Sequence, residues 1–192
     1  MTALSNITFA SEEPPEPGFT CGVCYQWHEN LPMSYSVKVP HAVASIPEPE
    51  LDGRVLFNLD QCIIDGRTFY LRGRIPVPIL GMDQPFIWGV WARVSKEDFI
   101  RTNDMWKISG RETEPPFRGW LDSSIPFYGN TLNLALRVWT QVVGRRPSFE
   151  LLDASHPLTR EQQTGISMQR VRDIAAGFVH SERACNLDIV SE

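Results

Sequence analysis

Lysine is almost missing from this sequence. Of its 18 basic residues only Lys38, Lys96 and Lys107 are lysine, and the remainder are arginine. Arginine grips carboxylates and phosphates through a planar fork that lysine lacks, although a GC-rich genome would produce the same bias. Base is also outweighed by acid, 18 against 23, for a net charge of −5. A chain of that sign gains nothing from neutralising a phosphate backbone, so nucleic acid is not an expected partner. Long apolar runs are absent. No window approaches the roughly 18 residues that a membrane helix requires, so no membrane association is expected. The opening MTALSNITFASEEPPEPG has neither a basic n-region nor an apolar h-region, and the cytoplasm is the expected compartment. Cysteine is scarce and unevenly spaced, at 21, 24, 62 and 185. That pattern predicts reduced thiols rather than a disulfide framework. Finally, there is no GxSxG, HExxH, P-loop or GxGxxG motif, and so no complete catalytic set.

What is present suits one domain with loose ends. Residues 1–18 are acidic and proline-rich, which predicts a mobile arm. Residues 19–180 carry the periodic segments of a single globular domain, and 181–192 have no clear pattern and read as a loosely ordered tail. Residues 35–39 alternate and are stopped by Pro40, as in a short edge strand. Residues 54–64 and 67–77 flank Asp65-Gly66, the signature of a tight hairpin turn. Residues 86–94 alternate around Trp88, Val90 and Ala92. Ser95 is placed to cap a helix over 96–106, with Asp98 at the third helical position. Strands are expected at 132–139 and 149–152. A last helix starts after Ser167, with Val171, Ile174, Ala175 and Phe178 on one stripe. Strands mostly first and a packing helix last predict an α+β fold, a mainly antiparallel sheet with helices packed on one face.

Three constellations carry chemistry. Cys21-Gly22-Val23-Cys24 has the spacing of two thiolates on one Zn²⁺, and His28 is near enough to add an imidazole. The fourth ligand has no local candidate, because knuckle spacing falls on Met33. It would have to come from Cys62, His41 or Cys185. The same cysteines also fit plain buried thiols or a redox pair. Second, Arg72 and Arg74 share a strand face, Arg145-Arg146 lie in a turn, and Arg111 and Arg118 flank a loop. Together they could clamp a carboxylate or phosphate. Equally, they could be solvated arginines paired with Asp60, Asp65, Asp83 and Glu150. Third, His156 precedes a polar turn at 159–165 and could serve as a general base or as a cap.

Several strings agree with one family: CGVCYQWHENLPMSY, LDQCIIDGRTFYLRGRIPVPI, FIWGVWARVSKEDFIR, GWLDSSIPFYGNTLNLALRV, GRRPSFELLDASHPLTREQQTGIS and RVRDIAAGFVH. From about Phe19 to His180 the chain resembles the uncharacterised bacterial family named domain of unknown function 2199. The resemblance implies a small cytoplasmic bacterial protein and no particular activity. Where the family continues its CxxC with Gly, this chain has Tyr25. Where it often has His and Asp, this chain has Trp139 and Ser155.

Two functions are therefore expected. One is a non-enzymatic binding module, regulatory or immunity-like, with another protein as partner and a structural zinc held by Cys21, Cys24 and His28, with Cys62 as the fourth ligand. The other is a small enzyme using His156, Arg72, Arg74 and Arg145 on a phosphate- or carboxylate-bearing substrate.

Overall fold

The computed structural model describes residues 18–180 and 187–188. The expected arm, apart from Gly18, and most of the expected tail lie outside the described residues. The chain opens with β1 (Phe19–Thr20) and β2 (Trp27–His28), which form a small antiparallel sheet of their own. β3 (Ser34–Val37) leads through α1 (His41–Ala44) and α2 (Leu51–Arg54) to β4 (Val55–Phe57), β5 (Gln61–Ile64), β6 (Thr68–Val77) and β7 (Phe86–Val94). Then come α3 (Lys96–Asp104), β8 (Phe117–Leu121), β9 (Ala135–Trp139), β10 (Ser148–Leu151), α4 (Pro157–Thr164), α5 (Met168–Val179) and β11 (Leu187–Asp188). Among these residues no helix is long and apolar enough to cross a membrane.

Local chemistry places several of these boundaries. Asp65 and Gly66 take φ of 52° and 63°, and the Arg67 N–H returns to the Ile64 carbonyl at 3.0 Å, the mirror-image turn that the dipeptide predicts. The expected strand over 54–64 is instead two strands. Asn58 breaks it, its side-chain oxygen accepting the N–H groups of Asp60 and Gln61 at 2.8 Å each. Ser95 caps α3 by accepting the Asp98 N–H at 3.0 Å, and Ser167 caps α5 through the Arg170 N–H, as the sequence predicts.

β6 and β7 pair antiparallel from Phe69↔Val94 to Val77↔Phe86. Each then divides its outer edge between two partners. β6 pairs with β5 over Thr68–Leu71 and with β10, in parallel, at Arg74↔Ser148. β7 pairs in parallel with β3 over Ile87–Gly89 and antiparallel with β8 over Ala92–Val94. β8, β9 and β10 continue antiparallel. The ring β6–β7–β8–β9–β10 thus returns to β6. The result is a closed five-stranded barrel with extra strands, a separate small sheet and five α-helices. It corrects the expected mainly antiparallel sheet with helices packed on one face. Two physical facts account for the difference. An odd number of up-and-down strands can close only by pairing its first and last in parallel. The strand β8, which joins β7 to β9, follows Pro115-Pro116 and contains Gly119, so its pattern does not read as a strand. Helices also cover both sides of the central hairpin. Leu158 of α4 and Val171, Ile174 and Phe178 of α5 pack with Leu71, Trp88 and Val90, while Ala42 and Val43 of α1 pack with Tyr70 and Trp91.

The core is continuous through the barrel. Gly73 faces Phe149 so closely that a Cβ there would stand 2.3 Å from the ring. Phe178 stacks on Tyr35 with ring centroids 4.0 Å apart and meets the edge of Phe127 at 5.2 Å. Burial at this density makes volume changes costly in either direction. Phe178→Ala is expected to lower stability by about 3–5 kcal/mol, and Gly73→Ala by about 1–3 kcal/mol through overpacking. Urea unfolding monitored by tryptophan fluorescence measures both. A loss below about 1 kcal/mol for Phe178→Ala would contradict its place in the core.

Candidate metal centre

The β1–β2 hairpin is too short to stand alone, and it lies against the last helix. Phe19 is buried with Cys21 against Ala175 and Ala176 of α5, and its ring stacks on His28 at 5.2 Å. The hairpin's loop is the CxxC. Cys21 N–H donates to the Gln26 carbonyl at 2.9 Å, and Tyr25 N–H donates to the Cys21 carbonyl at 3.0 Å. That tight loop needs a left-handed residue, and Tyr25 supplies it with φ of 58°. A non-glycine there costs about 1–2 kcal/mol, yet the turn is made, with the Tyr25 ring 83% exposed. Glycine is therefore not required at this position for the cysteines to converge.

The end of α5 completes the site. His180, at the helix C-cap, places Nε2 3.1 Å from Cys21 Sγ. Cys24 Sγ lies 3.5 Å from His28 Nε2. The ligand atoms of Cys21, Cys24, His28 and His180 all fall within 4.8 Å of one another, a group able to hold a metal ion. Sulfur and nitrogen bound to one tetrahedral Zn²⁺ at about 2.3 and 2.0–2.1 Å would be about 3.5 Å apart, the separation of Cys24 and His28, while Cys21 and His180 stand closer than that.

Three expected ligands thus meet, and the fourth position is filled by a residue that the sequence does not suggest. His180 falls at the end of a predicted apolar stripe, and only the docking of the hairpin onto that stripe could point to it. Cys62, named for the fourth place, lies elsewhere, buried with Ile64, Tyr70 and Trp91. His41 begins α1, its N–H bound to the Asp122 carbonyl, and Cys185 lies outside the described residues. The electrostatics separate the thiols in the same way. The N–H groups of Cys24 and Val23 and the His180 ring bring the Cys21 thiol down to about 6, against the opposing effect of burial. Burial, with a smaller contribution from the Asp122 carboxylate, pushes the Cys62 thiol up to about 11. Only the thiolate binds metal.

The other candidates are dispersed. His156 is the N-cap of α4, its Nδ1 accepting the Leu158 N–H at 3.2 Å. The Arg72 guanidinium lies over the Trp91 ring at 5.8 Å. Arg74 and Arg145 do meet, in a separate cavity that neither His156 nor Arg72 lines. Several arginines pair with acids as solvated side chains do: Arg54 with Asp65, Arg146 with Asp60 and Arg137 with Glu150. Trp139 donates its indole N–H to Glu150, and Ser155 its hydroxyl to Asp153.

Residues 20–166 match the model of a family described as an uncharacterized protein conserved in bacteria (DUF2199). That span is well over half of the chain, and the chain belongs to this family. It includes Cys21, Cys24 and His28 and stops short of His180. No curated protein and no solved structure matches the chain.

The lowered Cys21 pKa has a measurable consequence. Because its folded value, about 6, lies below the roughly 8.5 of a free thiol, the thiolate stabilises the folded metal-free protein at high pH. That contribution is complete above the unfolded value and is lost as pH falls through 6. Ultraviolet titration of the metal-free protein is expected to find one thiolate forming near pH 6, and Cys21→Ser should remove it. A first thiolate transition near 9 would contradict the arrangement.

Proposed function

We propose that this DUF2199 protein is a non-catalytic binding module whose N-terminal hairpin is stapled to its last helix by a zinc ion. The observation that carries the reading is the donor set: Cys21, Cys24, His28 and His180 within 4.8 Å. Two thiolates and two imidazoles in a compact group suit Zn²⁺ among the common divalent metals. Four protein ligands leave no open position for water or substrate, which is the pattern of a structural rather than a catalytic zinc. The free state of Cys21, Cys24 and Cys62 fits a reducing cytoplasm.

A groove of about 590 Å³ runs beside the site, lined by Phe19, Trp27, His28, Tyr35, Phe178 and Val179 among others. It is mainly apolar, and Trp27 and Val179 stand exposed at its margin. An aromatic groove of this kind suits an apolar side chain from a protein partner. His28 belongs both to the groove and to the metal group, so metal binding would fix one wall of the binding face. The enzyme reading lacks comparable support, since Nδ1 of His156 caps α4 and His156 does not line the cavity that Arg74 and Arg145 share.

Elemental analysis of protein purified without chelator is expected to find near one zinc per chain. Cys21→Ser, Cys24→Ser and His180→Ala should each lose it, with a fall in melting temperature that chelator reproduces in the parent protein. Metal-free protein that is fully folded and indifferent to added zinc would overturn the staple.

A further inference from the structure

A second cavity, of about 590 Å³, is built from different chemistry. Asp60, Arg74, Trp106, Arg111, Arg145 and Arg146 line it, with Gly144. Four guanidinium groups therefore face one carboxylate, in a chain whose net charge is −5. They come from three places: Arg74 from β6, Arg111 from the 3-10 turn Arg111–Thr113, and Arg145 and Arg146 from the loop between β9 and β10.

Arg111 is the informative member. It is only 2% exposed. Its guanidinium donates to the carbonyls of Gln141 at 2.7 Å, Trp106 at 2.8 Å, Val142 at 3.2 Å and Arg145 at 2.8 Å, and it lies 5.1 Å over the Trp106 ring. Every one of these partners is neutral. Among the described residues no carboxylate pairs with it. Burying a cation is costly unless an opposite charge accompanies it. The one acid of the cavity, Asp60, is already bound to Arg146 at 2.7 Å. Arg145 is exposed and forms no ion pair among the described residues. The cavity thus holds fixed positive charge in excess, with guanidinium forks able to take oxygen pairs.

We propose that this cavity binds a small oxyanion, a phosphate or carboxylate group, with Arg145 as its reachable fork, Arg74 beside it in the lining and Arg111 as the fixed charge behind them. The concave shape favours a small molecule over a flat anionic surface. His156 is not among the lining residues. The proposal is independent of the zinc, since none of the four metal-group residues touches this cavity.

Calorimetry and thermal melting of the full chain test it, with inorganic phosphate in one arm and citrate in the other, each against sodium chloride of equal ionic strength. Saturable binding and a rise in melting temperature are expected from at least one anion; the arm that responds more strongly identifies the group. Arg145→Ala should weaken that binding at least tenfold while leaving the fold intact, since its side chain is exposed, and Arg145→Lys should recover only part of it. The zinc content of every variant, read in the same samples, should be unchanged. No response beyond that of chloride, or equal binding by the Arg74→Ala, Arg145→Ala double variant, would overturn the assignment.

Discussion

Two long strands have more edge than any one neighbour can cover, and most of this architecture follows from how that edge is divided. β6 and β7 hold each other along nearly their whole length. Beyond Leu71, β6 leaves β5, and its N–H groups turn to new acceptors. Arg72 donates to the Asp60 carbonyl at 2.8 Å and Arg74 to the Pro147 carbonyl at 2.9 Å. On β7 the change falls at Trp91, whose N–H donates to the Ser123 hydroxyl at 2.9 Å and whose carbonyl accepts the Asp122 N–H at 2.8 Å. Buried backbone groups cannot go unpaired, so each change of partner needs its own acceptor. These two junctions let a single hairpin belong at once to a barrel and to the strands outside it. Trp91 alternates out of phase with Trp88 and is nevertheless fully buried, because Tyr70, Val37 and the α1 residues Ala42 and Val43 cover it outside the barrel.

The sequence disclosed the elements better than their assembly. Alternation at 86–94, the Asp65-Gly66 turn and the caps Ser95 and Ser167 are local signals, and local chemistry decides them. The barrel depends instead on β8, a short strand with a glycine at its centre, and on one parallel pairing between residues 74 and 148. Neither leaves a periodic trace. α4 was hidden for a related reason. Its run from Pro157 to Thr164 buries only Leu158 and Thr159, too narrow a stripe to register as amphipathic, so the segment reads as a polar turn capped by His156.

The candidate site divides along the same line. CxxC and a nearby His are a local motif, and three ligands could be named from spacing. His180 is 159 residues beyond Cys21, and its arrival depends on the hairpin docking where Ala175 and Ala176 leave room for Phe19. The arginines show the reverse. Their type was conspicuous, but which of them converge is set by the β9–β10 loop, which Arg111 holds through the carbonyls of Gln141, Val142 and Arg145. Arg72, one strand position pair from Arg74, ends over a tryptophan instead.

The seating of β1 and β2 on α5 also sets an order in time. Phe19 and the cysteine loop leave the ribosome well before the helix face that covers them. At roughly 5–20 residues per second, the 159 residues between Cys21 and His180 take about 8–30 s to synthesise. Throughout that interval the newborn hairpin has an apolar side chain and two nucleophilic sulfurs but no helix to shelter them. Chaperones, oxidants and metal carriers all have their opportunity during translation, and that window shuts only when α5 has formed.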